Sequence, residues 1–190
     1  MAQKNITGII LAGGNSSRMG TDKGVMDLNG EKVIQYVIEA LKPNVDNIII
    51  IANNSNYLDF GFPVYRDEIK DCGPLGGIYS GLLKSTTDKN IVLSCDIPFI
   101  TSKLISQIIA ESSEYDVTVP VHDGKTEPLC AVYTKNCMPK FKELLENKIL
   151  KLTDAMAQVS TKQVLLKSTK ETENNFINLN SKEDFNKYVK

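Results

Sequence analysis

The residues best suited to chemistry stand in one run near the N-terminus, Leu11-Ala12-Gly13-Gly14-Asn15-Ser16-Ser17-Arg18-Met19-Gly20-Thr21-Asp22-Lys23-Gly24. Paired glycines accept positive φ and let backbone N–H groups approach an anion with no Cβ in the way. Arg18 and Lys23 add two cations of different character. Arginine can grip phosphate oxygens in a fork, whereas lysine acts as a compact point charge. Such a loop suits a triphosphate. It is neither of the two commoner glycine loops. A P-loop requires G-x-x-x-x-G-K-[ST], but Lys23 follows Asp22 and precedes Gly24; the dinucleotide fingerprint G-x-G-x-x-G is broken at Asn15. Residue types alone also allow a tight turn carrying two solvated charges.

A second stretch, Ile91-Val92-Leu93-Ser94-Cys95-Asp96-Ile97-Pro98, puts Asp96 at the end of a β-rich apolar run. Hard carboxylate oxygen, together with phosphate oxygens and water, is the usual way to hold Mg²⁺. Spacing alone leaves a metal ligand and a loop or cap aspartate equally open. Asn53, in Ala52-Asn53-Asn54, offers an amide that can pair with a base or ribose, or that simply belongs to a loop.

These residues need a scaffold, and the chain alternates strand and helix signals to supply one. Ile6–Leu11 and Ile48–Ala52 are aliphatic runs expected as strands buried on both faces, and Pro63–Arg66 is a short third strand. Lys32–Lys42 places Val33, Ile34, Val37, Ile38 and Leu41 at helical spacing before Pro43 stops it. Leu75–Lys84 follows Pro74, a good first-turn residue, and Ile91–Cys95 is a fourth strand. Thr101 is placed to cap a helix over Lys103–Ser112 with Leu104, Ile105, Ile108 and Ile109 inward. Asp116–Val121 and Pro128–Tyr133 flank an Asp123-Gly124 turn signal and are expected to form an antiparallel hairpin. Helices at Pro139–Glu146 and Thr153–Val159, a strand at Gln163–Leu166 and a capping box at Ser181 complete the pattern. The expected fold is α/β, a three-layer αβα arrangement: a Rossmann-like, mostly parallel sheet with helices on both faces and a small antiparallel hairpin.

Composition narrows the classes. The chain has 190 residues, 42% hydrophobic and 24% charged, with 22 Lys+Arg against 23 Asp+Glu and a net charge of −1. That length suits a single domain over residues 1–190 with a substantial core. The charge balance argues against a nucleic-acid or membrane-surface binder. No targeting segment and no membrane span is expected. The four cysteines, Cys72, Cys95, Cys130 and Cys137, form no Cys-x-x-Cys pair, and His122 is the one histidine, so a Cys/His zinc site is disfavoured. Reduced thiols and a cytoplasmic location are the expectation.

The full pattern L-A-G-G-x-x-x-R-M-G-x-D-K resembles the signature of nucleotidyltransferases with a glycosyltransferase-A-like fold, and within them the molybdenum cofactor guanylyltransferases. The Gly13-Gly14 doublet and the Asp22-Lys23-Gly24 ending favour that branch over the related pterin cytidylyltransferases, which typically carry Ala-Ala-Gly there. The resemblance runs over nearly the whole chain. It implies GMP transfer from GTP to molybdopterin, with Arg18, Lys23 and Asp96 catalytic and Asp96 the Mg²⁺ ligand. It implies nucleotide contacts from Leu11, Ala12, Gly13, Gly14, Lys23, Asn53, Asp67, Gly76 and Asp96. Asp67 is equally readable as an ordinary strand-end carboxylate, and Gly76, in Gly73-Pro74-Leu75-Gly76, as a packed turn. Asn178 and Asn180, in Ile177-Asn178-Leu179-Asn180, match a segment near the acceptor, although Asn180 also suits a residue preceding a cap. His122, Glu127 and Pro128 correspond to a polar loop on the acceptor side; a lone turn histidine is ordinarily just exposed. Transient contact with molybdenum-cofactor biosynthesis or acceptor proteins is a further implication. A sugar-1-phosphate nucleotidyltransferase, a pterin cytidylyltransferase and a non-catalytic nucleotide-binding module are the competing readings.

Overall fold

The computed structural model describes residues 5–12, 22–180 and 182–188. The run Ile6–Leu11 forms strand β1 and is buried along its whole length. Around it, in chain order, come β2 (Asp27–Leu28), β3 (Glu31–Lys32), α1 (Val33–Leu41), β4 (Asn47–Ile51), β5 (Val64–Tyr65) and α2 (Gly73–Lys84). The chain continues through β6 (Lys89–Ser94), α3 (Ser102–Ala110), β7 (Val117–His122), β8 (Lys125–Thr126), β9 (Cys130–Thr134) and α4 (Met138–Glu146). Last are α5 (Leu152–Met156), β10 (Thr161–Leu165), α6 (Lys170–Asn175) and α7 (Lys182–Asn186).

The main sheet has the order β10-β7-β9-β6-β1-β4-β5, with β8 paired to β7. β1 pairs in parallel with both β4 and β6, β4 with β5, and β10 with β7. β9 is antiparallel to both of its neighbours, β6 and β7. Side chains alternate along β1: Ile6 and Ile10 join a core with Ile34, Val37, Ile38 and Leu41 of α1 and Leu104, Ile105 and Ile108 of α3. Ile9 and Leu11 face the other way, onto Leu75, Ile78 and Leu82 of α2 and Phe141 of α4. Helices therefore cover both faces, and the strands buried between them are largely apolar, with Thr7, Asn90, Thr118 and Thr134 as buried polar exceptions. No helix among the described residues is long and apolar enough to cross a membrane.

The Thr101 hydroxyl accepts from Leu104 N at 3.3 Å and caps α3. Two expectations need correction, on the Asp123-Gly124 turn and on Ile109, and two features, the β2–β3 hairpin and α6, lie outside the expected elements. Asp123 and Gly124 do form a positive-φ turn (48° and 72°), but it joins β7 to the short β8. The pairing expected across it holds: the two runs supply β7 and β9, which are antiparallel with Val117 opposite Tyr133 and Thr118 opposite Val132, and β9 pairs with β6 on its other edge. β9 is buried along its whole length, as suits a strand with neighbours on both edges. A second hairpin, β2–β3, turns on Asn29 and Gly30, the same residue chemistry at positive φ (56° and 90°). Helix α6, too polar to give an apolar period, is held instead by its Thr169 cap. Ile109 is only partly buried.

Close packing of α2 on β1 leaves no room at Gly81, where a Cβ would lie 2.6 Å from Ile9 Cγ2 and 2.9 Å from its Cδ1. Gly81→Ala should gain about 1 kcal/mol of helix propensity and lose roughly 1–3 kcal/mol to overpacking. A net fall in the urea midpoint is expected; a rise would show that Ile9 yields freely.

Candidate functional site at the C-terminal edge of the sheet

Register assembles the site. Leu11 lies opposite both Ile51 and Ser94, and Ile51 opposite Tyr65, so β1, β4, β5 and β6 end together. The ladder runs one step further through Ala12 N to Ile51 O (2.8 Å), Ala52 N to Tyr65 O (2.8 Å) and Cys95 N to Leu11 O (3.0 Å). Immediately beyond stand Ala12, Asn53, Asp67 and Asp96, at the edge where open α/β sheets bind ligands.

Lys23 stands on a single 3-10 turn, Lys23–Val25, capped by Asp22. Its Nζ lies 3.4 Å from Asp96 Oδ2 and donates to Asn180 Oδ1. Both partners of the ion pair are largely shielded, with side chains 24% and 14% exposed. Asp96 Oδ1 accepts from the Ser94 hydroxyl at 2.6 Å, which fixes the carboxylate's orientation. Asn180 arrives because Leu179, fully buried with Leu28, Val33 and Phe185, anchors the returning chain. Leu179 N also donates to Asp96 O at 3.0 Å. The arrangement thus brings together a cation, a hard carboxylate and an amide from three distant segments.

Asn53 and Asp67 pair reciprocally, Asn53 Nδ2 with Asp67 Oδ2 at 2.7 Å and Asp67 N with Asn53 Oδ1 at 3.1 Å. Burial pushes the Asp67 carboxyl above its ordinary value, with the Asn53 bond opposing. Asp67 Oδ1 is buried and has no hydrogen-bond partner among the described residues. Leu11 and Gly77 border it, a Cβ on Gly77 lying 3.3 Å from Leu11 Cδ2 and 3.6 Å from this oxygen. Gly76 is accounted for by packing: a Cβ there would meet Cys72 Cβ at 2.8 Å and Ile69 O at 3.3 Å. Asn178 is exposed, and its amide donates to Phe176 O at 3.2 Å, within its own segment. Gly13, Gly14, Arg18 and Ser181 lie outside the described residues.

Sequence reasoning undervalued His122. Its ring is mostly buried, stacks on Phe176 (centroids 4.4 Å apart, planes 5° apart), and bonds through Nε2 to Glu127 Oε1 at 2.9 Å. This histidine, the last residue of β7, thereby braces the strap that carries Asn178 and Asn180. The aromatic at 176, two residues before the asparagines, was the available signal. The thiols are buried, and burial pushes those of Cys95, Cys130 and Cys137 above the ordinary range, the opposite of what an activated thiolate needs.

Residues 8–162 match the family model described as the MobA-like NTP transferase domain, and the chain is accordingly a nucleotidyltransferase. The fold is shared with molybdopterin-guanine dinucleotide biosynthesis protein A from Archaeoglobus fulgidus, with a TM-score of 0.80, 21% identity and 96% of each chain covered. A probable molybdenum cofactor guanylyltransferase of Carboxydothermus hydrogenoformans is 35% identical, covering 98% of this chain and 96% of the relative. The molybdenum cofactor guanylyltransferase of Vibrio parahaemolyticus is 36% identical over 93% of this chain and 91% of its own. The chain belongs to the molybdenum cofactor guanylyltransferase family.

The raised Asp67 carboxyl has a stability consequence. The folded state keeps the proton to higher pH than the unfolded chain does. The associated stabilisation is therefore complete below the unfolded value of about 3.9 and is lost as pH rises through the folded one. Asp67→Asn, which cannot ionise, should gain on wild type in urea midpoint as pH rises above about 4. A difference that stays flat over that rise would contradict the assignment.

Proposed function

We propose that the chain transfers GMP from GTP to the terminal phosphate of molybdopterin, releasing pyrophosphate and forming a molybdopterin guanine dinucleotide. The supporting observation is the meeting of Lys23, Asp96 and Asn180 at one sheet edge, in a chain whose relatives are named for this guanylyl transfer. The acceptor phosphate is already anionic, so transfer needs positioning and charge neutralisation more than a general base or a protein nucleophile.

In this reading Arg18 and Lys23 grip the triphosphate and favour departure of pyrophosphate. The backbone of Leu11, Ala12, Gly13 and Gly14 lies along the nucleotide. Asn53, Asp67 and Gly76 flank the nucleoside, and Asn178 and Asn180 orient the acceptor. Magnesium fits this edge: Asp96 presents one hard, oriented oxygen, and among the described residues no group of three His, Cys, Asp or Glu forms a metal cage. An ion bound mainly through substrate phosphates and water is the kind that needs one carboxylate only. Bound there, it would supply charge neutralisation on the phosphates. The Lys23 ammonium, now on Asp96, would then turn to the phosphate oxygens. Residues 1–190 act as one nucleotidyltransferase domain in the cytoplasm, with GTP and molybdopterin as substrates and transient contacts to molybdenum-cofactor proteins. Nucleic acid and membrane have no part in it.

The test supplies molybdopterin and Mg²⁺ with each of the four nucleoside triphosphates in turn and follows pyrophosphate. Turnover with GTP alone is expected; turnover with CTP would move the chain to the cytidylyl branch, and GTP binding without turnover to a non-catalytic module. Lys23→Ala and Asp96→Ala should each lower kcat by about 10²–10³-fold, as losses of transition-state charge stabilisation do, while folding normally. Wild-type turnover in purified Asp96→Ala would refute the metal assignment.

A further inference from the structure

We propose that Tyr57, assisted by Asn54, is a positioning residue that acts through Asp22 to hold the Lys23 ammonium at Asp96, an inference that rests on the function proposed above. Lys23 stands on a turn with little hold of its own. Its three closing bonds, Gly24 N to Asp22 Oδ1, Val25 N to Asp22 O and Met26 N to Lys23 O, measure 3.3, 3.3 and 3.2 Å. These lie at or beyond the long end of the normal range. Asp22 caps the turn, and both of its carboxylate oxygens accept from the loop that follows β4.

The Tyr57 hydroxyl donates to Asp22 Oδ1, and Asn54 Nδ2 donates to Asp22 Oδ2 at 2.8 Å. Tyr57 is fully buried, whereas its neighbour Leu58 is 61% exposed. The phenol therefore enters the core with its polar end needing a partner. The fit is close on the far side as well. A Cβ on Gly24 would lie 2.6 Å from the Tyr57 hydroxyl and 3.1 Å from Cys95 Sγ, the residue just before Asp96. Burial pushes the phenol far above its ordinary range, which keeps it a donor to Asp22 at every working pH.

Two consequences follow for Lys23. Its turn is pinned against the strand end that carries Asp96, and a misplacement of about 1 Å at such a site can cost about 100-fold in rate. The adjacent Asp22 carboxylate, occupied by neutral donors, is also kept from capturing the ammonium. Lys23 is left to Asp96 and Asn180.

The experiment measures kcat and KM for GTP and acceptor, together with equilibrium binding of inorganic tripolyphosphate, in four proteins: wild type, Tyr57→Phe, Lys23→Ala and the double variant. Tyr57→Phe keeps the ring and should retain the wild-type circular dichroism. Its kcat should fall about tenfold and its tripolyphosphate affinity several-fold, as a partial misplacement of Lys23 would produce, with acceptor KM within about twofold. In the Lys23→Ala background the same substitution should cause no further loss, which a merely structural role would not produce. An unchanged kcat and affinity in Tyr57→Phe, or an equal loss with and without Lys23, would overturn the proposal. Asn54→Ala, at an exposed position, releases the other Asp22 oxygen and is read the same way if Tyr57→Phe fails to fold. Absence of guanylyl transfer by wild type would sink the proposed function instead, and the tripolyphosphate comparison would still judge Tyr57.

Discussion

Parallel strands point the same way, so where one ends in step with its neighbours a row of loops opens on a single edge. Here Leu11, Ile51, Tyr65 and Ser94 end in register, and Leu11, Ala12, Lys23, Asn53, Asp67 and Asp96 sit on or just past that line or in a loop leaving it. Apolar burial alone would not fix this alignment, because β1 is apolar on both faces. Shape does. A Cβ on Gly8 would come 3.2 Å from Leu41 Cδ1, and Gly81 leaves room only for Ile9. A slip by one residue would turn each side chain to the opposite layer and bring branched side chains against helices that accept only glycine there.

Charge at this edge is arranged locally rather than in bulk. A chain with net charge −1 is no obvious partner for polyanions. Lys23, however, lies in a shielded position where screening is weaker than at an open surface. Its neighbours Asp22 and Asp96 are each committed to named donors. Whole-chain charge speaks to surfaces; a small-molecule site is decided by a few side chains and their spacing.

Much of this was legible in the residues. Aliphatic runs such as Ile6–Leu11 and the 3.6-residue period in Val33–Leu41 located strands and helices to within a few positions, because burial on known faces dictates those patterns. Lys23 and Asp96 were legible as a pair of strand-end loops on one edge. The insertion of β9 between β6 and β7 was not, since strand order is settled by non-local packing that no short window contains. Nor were the contacts of His122 with Phe176 or of Tyr57 with Asp22, which join residues far apart in sequence through side-chain shape. Gly76 illustrates a different limit: a glycine near the start of α2 signals a close approach without saying to what.

Lys23 and Asn180 are 157 residues apart, and the strap that delivers Asn180 crosses the edge only after β10 and α6 have been made. Contacts that far apart in sequence carry the largest loop-closure cost and tend to form late. During synthesis the sheet around β1 can therefore take shape while Lys23 still lacks its amide partner. Competence for phosphate chemistry is in this way tied to completion of folding, and a half-made chain presents a scaffold without a finished site.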